Sequence, residues 1–497
     1  MSFINYVVEH LNYFYVKALE KEIGRELFLN KNELNKIVKA YKFGLNPEYH
    51  PLVQIANMLT NAGLHERSNE FYRRYLKKNK NKFAHSLYLQ NLLLSSSATN
   101  QILHEAHRYW AERYEKKSLK PLWGAQKNRA VNKKIKIGYV CHFFSNSISQ
   151  NVFLPFLKKH DRTKFEIYCY DDGETEDKYK VYADHWCDIR KLSDKKVAKL
   201  IADDGIDILQ ELNGICLINR FGALAYRPAP IQINWYNHTS TTGLSCVDYV
   251  MSDKVSILDS DLPYFVEDAY RHKDFIAAVH FDAEKFGPLV QMTPAAGNKF
   301  VTFGYFGASH KITQETIELW SQVLNLVPHS KLVLKCATLT HEKYRKIFLG
   351  HFLKHGITEA QIIFDDWSDQ ATTLQKYNNM DIMLDSSPVN GGSTMFEALL
   401  QGVPVVTLMG KRWAARSGPS VLTTLKRPEL IAHSPNEYVD IAVRLANDIP
   451  RLNDYRKKLR EEMLSSPLTN FDQFYQNFEE AYLYMWNRWC QDRVSHS

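Results

Sequence analysis

Asp381-Ile-Met-Leu-Asp385, Ser386-Ser-Pro-Val-Asn-Gly-Gly-Ser-Thr394, Met395-Phe-Glu-Ala-Leu-Leu-Gln-Gly402 and Val403-Pro-Val-Val-Thr-Leu408 follow one another without a break. The first piece is a short apolar run of the kind that forms a buried parallel strand. The second, rich in Ser, Pro, Asn and Gly, can continue neither strand nor helix. Ser393 and Thr394 are good N-cap types, and Glu397 lies three residues after Thr394, the spacing of a capping box. Gly402 ends the helix, and Pro404 opens the next strand. The stretch therefore predicts one β-loop-α-β unit. Gly391 and Gly392 let backbone approach a ligand closely, and the helix opens with free N–H groups and a positive dipole end. That combination suits a diphosphate. A ligand-free unit would carry the same pattern, because a Gly-rich loop alone is weak evidence.

The flanking sequence repeats the alternation. Ahead of this unit, residues 300–304, 331–335 and 362–364 read as strands, with a helix over 314–327. Further upstream, 135–144, 165–170, 206–212, 231–235 and 249–253 read as five more strands separated by helical or polar stretches. Strands alternating with helices predict parallel sheets. Residues 280–300, with Pro288, Pro294 and Gly297, read as a linker, and 437–490 turns helical again. Residues 1–125 look helical throughout. Within them, 51–83 resembles one degenerate tetratricopeptide unit with a small-residue turn at Ala62-Gly63. The expected organisation is an all-α segment (1–130), a first Rossmann-like domain (131–285), and a second one with closing helices (286–497). This is an α/β chain on the GT-B plan, whose ligands bind in the cleft at the carboxyl ends of the strands.

Composition narrows the class. The 497 residues are 45% hydrophobic and 13% aromatic, enough for two or three packed domains and too apolar for disorder. A net charge of +8 suits anionic ligands but is too small to argue for nucleic acid. No apolar run is long enough to predict a membrane span, and the N-terminus lacks the basic start and cleavable pattern of a signal peptide. The seven cysteines are scattered, with no C-x-x-C; they read as reduced cytosolic thiols. The expectation is a cytoplasmic protein, and the many Lys, Asn and Ile give an AT-rich bacterial impression. No metal-ligand cluster is visible.

An ordered set of short motifs resembles the O-GlcNAc transferase family of glycosyltransferases, with its SPINDLY-like and bacterial members, over residues 134–489. The carriers in the first half are Ile137-Gly-Tyr-Val, Asp204-Gly-Ile-Asp-Ile-Leu209, Arg227-Pro-Ala-Pro-Ile-Gln232, Thr241-Thr-Gly243 and Asp248-Tyr249. In the second half they are Phe306, Lys311-Ile-Thr313, Trp320, Val327-Pro328, Asn390-Gly391, Ser393-Thr394, Pro404-Val-Val-Thr407, Ala415-Arg416, Glu429-Leu-Ile431 and Ser466-Pro-Leu468. The resemblance implies a metal-independent, inverting transferase. It would move hexose or N-acetylhexosamine (UDP-Glc or UDP-GlcNAc) onto Ser/Thr or, as in a sister branch that glucosylates adhesins, onto Asn. The UDP-sugar is then a substrate, no cofactor is needed, and the acceptor is a protein, peptide or glycopeptide. A hexosyltransferase extending a protein-bound sugar, and an inactive nucleotide-sugar- or protein-binding module, are the alternatives.

By that resemblance Lys311 contacts the donor diphosphate, Ser393 and Thr394 are the hydroxyl pair under the phosphates, and Glu397 holds the ribose. Asn390, Gly391 and Gly392 complete the donor loop. Arg416 is either a second cleft cation or a packing residue. The sequence also departs from the family. Its histidines are missing from the loop at Ser145–Asn151, from Gly214-Ile215-Cys216 and from the donor loop, where Gly392 stands. His238 and His310 are the nearest substitutes. Asp204 matches a family aspartate proposed to help take the acceptor proton, though an Asp-Gly turn is reason enough for it. Glu211, ending its strand, is another candidate base. Asp204, Glu211 and His238 are thus the candidate bases, and His310 joins the donor site.

Overall fold

A computed structural model of the chain describes residues 50–115, 120–124, 130, 132–144, 147–215 and 219–491, without the side chains of 147–150. The helical expectation for residues before 50 lies outside the described residues. Four helices open the described chain: α1 (Pro51–Asn61), α2 (His65–Leu76), α3 (Lys82–Leu94) and α4 (Asn100–Tyr114). Side chains cap three of them in the expected way. Asn81 accepts from Ala84 N and Thr99 from Ile102 N, and His50 precedes Pro51 at the start of α1. The turn at Ala62-Gly63 falls between α1 and α2, as the sequence predicts.

The first sheet has seven parallel strands in the order β3-β2-β1-β4-β5-β6-β7. They are β1 (Ile135–Cys141), β2 (Phe165–Asp171), β3 (His185–Asp188), β4 (Ile208–Glu211), β5 (Ile231–Asn234), β6 (Tyr249–Asp253) and β7 (Asp268–His272). The second has six parallel strands in the order β10-β9-β8-β11-β12-β13. They are β8 (Thr302–Phe306), β9 (Lys331–Lys335), β10 (Ile362–Asp365), β11 (Ile382–Leu384), β12 (Val405–Leu408) and β13 (Ile431–Ala432). Central strands buried on both faces explain the near-continuous apolar runs. On β1, Ile135, Ile137 and Tyr139 face one core while Val140 faces another.

The closing helices divide between the domains. Pro435–Ala446 and Ile449–Leu464 pack on the second sheet, whereas Phe471–Gln491 returns to the first. There Phe478 packs against Trp235 at 4.4 Å between ring centroids, and Tyr482 Oη lies 2.8 Å from Tyr139 Oη. The helical segment also joins both bodies. Leu89, Trp110 and Ala111 enter a core of the first domain, and α1 and α2 share a cluster with Ile347 of the second. The 280–300 stretch is pinned rather than loose: Gln401 Nε2 donates to Phe286 O at 2.8 Å, and His280 N donates to Asn151 O at 2.7 Å.

Candidate active site between the two sheets

The loop after β11 is built on one buried carboxylate. Asp385 accepts from Gly391 N at 2.6 Å, Ser386 N at 2.9 Å and Thr407 Oγ1 at 2.6 Å. A Cβ on Gly391 would lie 3.2 Å from Asp385 Oδ1, a tight contact that would push the carboxylate back by a few tenths of an ångström. Burial raises the Asp385 pKa, and these donors and Lys311 oppose that rise. Asn390 is held by its amide, with Nδ2 donating to Ser386 O at 3.2 Å and Oδ1 accepting from Gly418 N at 3.3 Å.

Lys311 ends the 3₁₀ turn Ser309–Lys311 that follows β8. Its Nζ donates to Asn390 O at 2.7 Å, crossing from the β8 loop to the β11 loop. Burial lowers its pKa and the Asp385 charge opposes this. The helix Ser393–Leu400 then starts with Gly392 at its N-cap and no side-chain cap. The expected capping box at Thr394 and Glu397 does not form, because the helix begins earlier than a Thr394 cap requires. Glu397 is therefore left for other work. Tyr377 Oη donates to its Oε2 at 3.1 Å, and burial pushes its pKa up to about 7.

The Lys311 turn, the loop from Val389 and the helix start with Glu397 line a cavity of about 670 Å³, within the range of small-ligand sites. Lys311, His310, Asn390, Gly391, Gly392, Ser393, Thr394 and Glu397, all predicted from sequence, meet on its second-domain wall. Asn151, Tyr236, Asn237 and Thr239 come from the first domain, and Thr60, Tyr72 and Asn91 from the helices. Burial, with the Lys311 charge beside it, pushes His310 down to about 4, so its imidazole is neutral at pH 7.

Four predicted site residues lie elsewhere. Arg416 is buried and engaged: it donates to Asp261 in an ion pair, to Gly410 O at 2.9 Å, Lys411 O at 2.7 Å and Ser256 O at 3.2 Å. It locks the two domains together and is no cleft cation. Asp204 sits in the turn leading into the amino end of β4, away from the cleft, where it accepts from Tyr170 Oη at 2.7 Å. Glu211 does end β4, but its two oxygens accept from Asn213 Nδ2 and Gly214 N, both at 2.8 Å, and burial pushes it up to about 8. It folds the loop beneath the cavity and does not line it. His238 turns its ring inward onto His107, 5.2 Å between centroids, with Nε2 3.1 Å from Thr241 O. Burial pushes it to about 4, and only its neighbours Asn237 and Thr239 reach the cavity. Ser145, Asn146 and Cys216, in the loops that lack the family histidines, lie outside the described residues.

Sequence reasoning missed Asp385 as the hub of the loop and Tyr377 as the partner of Glu397. An acid ending an apolar run just before a Gly-rich loop is a signal for the first. Tyr377 had none, being set by tertiary packing. Among the described residues, no group of three or more His, Cys, Asp or Glu is placed to hold a metal ion.

Two parallel α/β domains enclosing such a cleft, with the helix start and lysine on the second, define a GT-B protein. The chain belongs to glycosyl transferase family 41, whose sequence model matches residues 94–286 and 294–478. It is similar to the Hordeum vulgare protein named "Probable UDP-N-acetylglucosamine–peptide N-acetylglucosaminyltransferase SPINDLY", 35% identical over 416 residues, 81% of this chain and 44% of the relative. The Arabidopsis thaliana SPINDLY protein is also 35% identical, over 82% of this chain and 45% of its own length. Among solved structures, the Thermobaculum terrenum O-GlcNAc transferase superposes with a TM-score of 0.83 at 28% identity, covering 89% of this chain and 85% of that one. The chain thus spans less than half the length of the curated plant relatives it matches.

Proposed function

We propose that this chain transfers hexose or N-acetylhexosamine from a UDP-sugar to a protein side chain, Ser/Thr or Asn, with inversion. The observation that carries this is the meeting of Lys311, the uncapped start of Ser393–Leu400 and Glu397 along one cavity wall. The diphosphate sits over the helix start beside the Lys311 ammonium, and Glu397 accepts the ribose hydroxyls. The acceptor oxygen or nitrogen attacks the anomeric carbon, the bond from that carbon to the phosphate oxygen breaks, and UDP leaves with the electron pair. Lys311 and the helix dipole stabilise the charge that grows on the leaving group. The relatives' names support a peptide acceptor and an N-acetylglucosamine donor.

With Asp204, Glu211 and His238 outside the cavity, His310 is, among the described residues, the imidazole that faces it. We assign the acceptor proton to His310 on its place in the cavity wall; burial and the Lys311 charge disfavour its protonated form, so it takes the proton only as the bond to the anomeric carbon forms. His310→Ala then lowers turnover by about a hundredfold at little change in UDP affinity. Unchanged turnover would pass the proton to a donor phosphate oxygen instead.

The test of the reaction is UDP release from a panel of UDP-sugars with peptide and glycopeptide acceptors. Acceptor-stimulated release is expected from UDP-GlcNAc or UDP-Glc with a plain peptide. Release only with glycopeptides would move the reading to sugar extension, and turnover only with guanosine diphosphate sugars would overturn the donor. Activity is expected to persist in EDTA, since Lys311 and the helix dipole supply the positive charge; loss in EDTA with rescue by manganese or magnesium would contradict this.

Glu397 gives a pH dependence. Burial favours its neutral form up to about pH 7, whereas accepting two ribose hydroxyls requires the carboxylate. UDP affinity therefore rises as pH increases through about 7 and levels off above it. Glu397→Gln should bind UDP more weakly and with a flat profile between pH 6 and 8. A wild-type profile equally flat would remove Glu397 from the ribose.

We also place the reaction in a bacterial cytoplasm. The described cysteines are all free, five of the six buried, and among the described residues no helix is long and apolar enough to cross a membrane. Fractionation of the source cells tests it.

A further inference from the structure

The helical segment grips the turn that carries Lys311. Gly63, at φ +73°, lies so close to that turn that a Cβ would come 2.1 Å from Ile312 O. Beside it, Ser309 Oγ donates to Asn61 O at 3.2 Å. His65, the first residue of α2, is completely buried. Its Nε2 lies 2.7 Å from His310 O and its Nδ1 2.7 Å from Asn91 Oδ1.

The orientation of Asn91 is fixed by what surrounds it. Its Nδ2 donates to His65 O at 3.0 Å and to Asn69 Oδ1 at 2.8 Å, while its Oδ1 also accepts from Thr60 Oγ1 at 2.7 Å. Both ring nitrogens of His65 therefore face oxygens that can only accept. A ring that donates at both nitrogens would satisfy them; burial lowers the His65 pKa, and the contacts to Asn91 and the His310 carbonyl and the Glu66 charge oppose that fall. A hydrophobic contact at this place would fix distance; two short hydrogen bonds also fix direction. The carbonyl they hold belongs to the residue before Lys311.

We propose that His65 is the positioning residue for Lys311, bridging Asn91 of the helical segment to the His310 carbonyl so that the helices set where the ammonium meets the donor diphosphate. This inference rests on the transferase reading for its consequence in turnover, but not for its structural content. Through this bridge the N-terminal helical segment reaches the turn that carries the donor-side cation.

The test is a double-mutant cycle in the full chain, with hydrogen exchange as a second reading. His65→Gln keeps most of the volume and can satisfy only part of the bridge. It should lower kcat for the UDP-sugar by about tenfold and change KM by less than about threefold, because the lost contact acts in the transition state. In a Lys311→Ala background that keeps His310 the same change should cost less than about twofold, since the residue it positions is gone; a larger residual loss would mean that His65 acts through the His310 ring and would overturn the proposal. Full additivity of the two losses would overturn the proposal, as would an unchanged kcat in His65→Gln. Amide exchange over residues 308–312 should quicken in His65→Gln while that over 435–446 stays as in wild type. Unchanged exchange over 308–312 would refute the bridge even if the chain proved to transfer no sugar. Should Lys311→Ala keep full turnover, Lys311 leaves the mechanism and the kinetic part of the proposal falls with it, while the exchange result alone decides the bridge; absence of any transfer by the wild-type chain is what would sink the transferase reading.

Discussion

Lys311→Ala lowers turnover by about 10²–10³-fold, the usual loss when one preorganised group that stabilises transition-state charge is removed. The ammonium bridges to Asn390 O and lies in the field of buried Asp385, so it is held in place before any ligand arrives. That preorganisation is what makes such a contact valuable. The variant should fold, because Asp385 keeps its three uncharged donors. Steady-state kinetics with UDP-GlcNAc, alongside a thermal melt, reads both quantities. Near-normal turnover in a folded variant would remove Lys311 from the mechanism.

Arg416→Met destabilises the chain by about 3–5 kcal/mol, the cost of leaving one member of a buried ion pair without its partner. Asp261 would keep Asn100 Nδ2 at 2.8 Å and Leu258 N at 2.8 Å. It would lose the guanidinium that joins it to the second domain. Chemical denaturation measures the loss. UDP affinity of the folded variant, measured under conditions where it stays folded, should match wild type, because Arg416 is turned away from the cavity. A variant of full stability with weakened UDP binding would restore Arg416 to the donor site.

In the first sheet the strands readable from sequence are those buried on both faces. β1, β2, β4, β5 and β6 appear as apolar runs because helices cover each side. β3, His185–Asp188, and β7, Asp268–His272, were missed for the opposite reason. They are the edges of the sheet, partly exposed, and their polar residues carry no period. β13 is only two residues long and leaves no pattern to read. In the site, the donor loop was legible because its chemistry is local: strand end, glycines and helix start lie within a few residues. The base was not. Asp204 matches a family position yet stands at the amino side of its strand, and the inward turn of His238 is decided by packing on His107 of α4, far away in sequence. The spacing of Thr394 and Glu397 satisfied a capping-box rule that the fold did not use, since the helix start is set by the wrap of 386–392 around Asp385. Arg416 could not be resolved from sequence either, because its partner Asp261 comes from the other domain.

A crystal structure of the chain with UDP bound tests the central claim most directly. The account predicts the diphosphate over the start of Ser393–Leu400, within hydrogen-bond distance of Lys311 Nζ, and the ribose hydroxyls on the Glu397 carboxylate. UDP seated away from the 390–397 loop, or a diphosphate that leaves Lys311 on Asn390 O without touching it, would contradict the account.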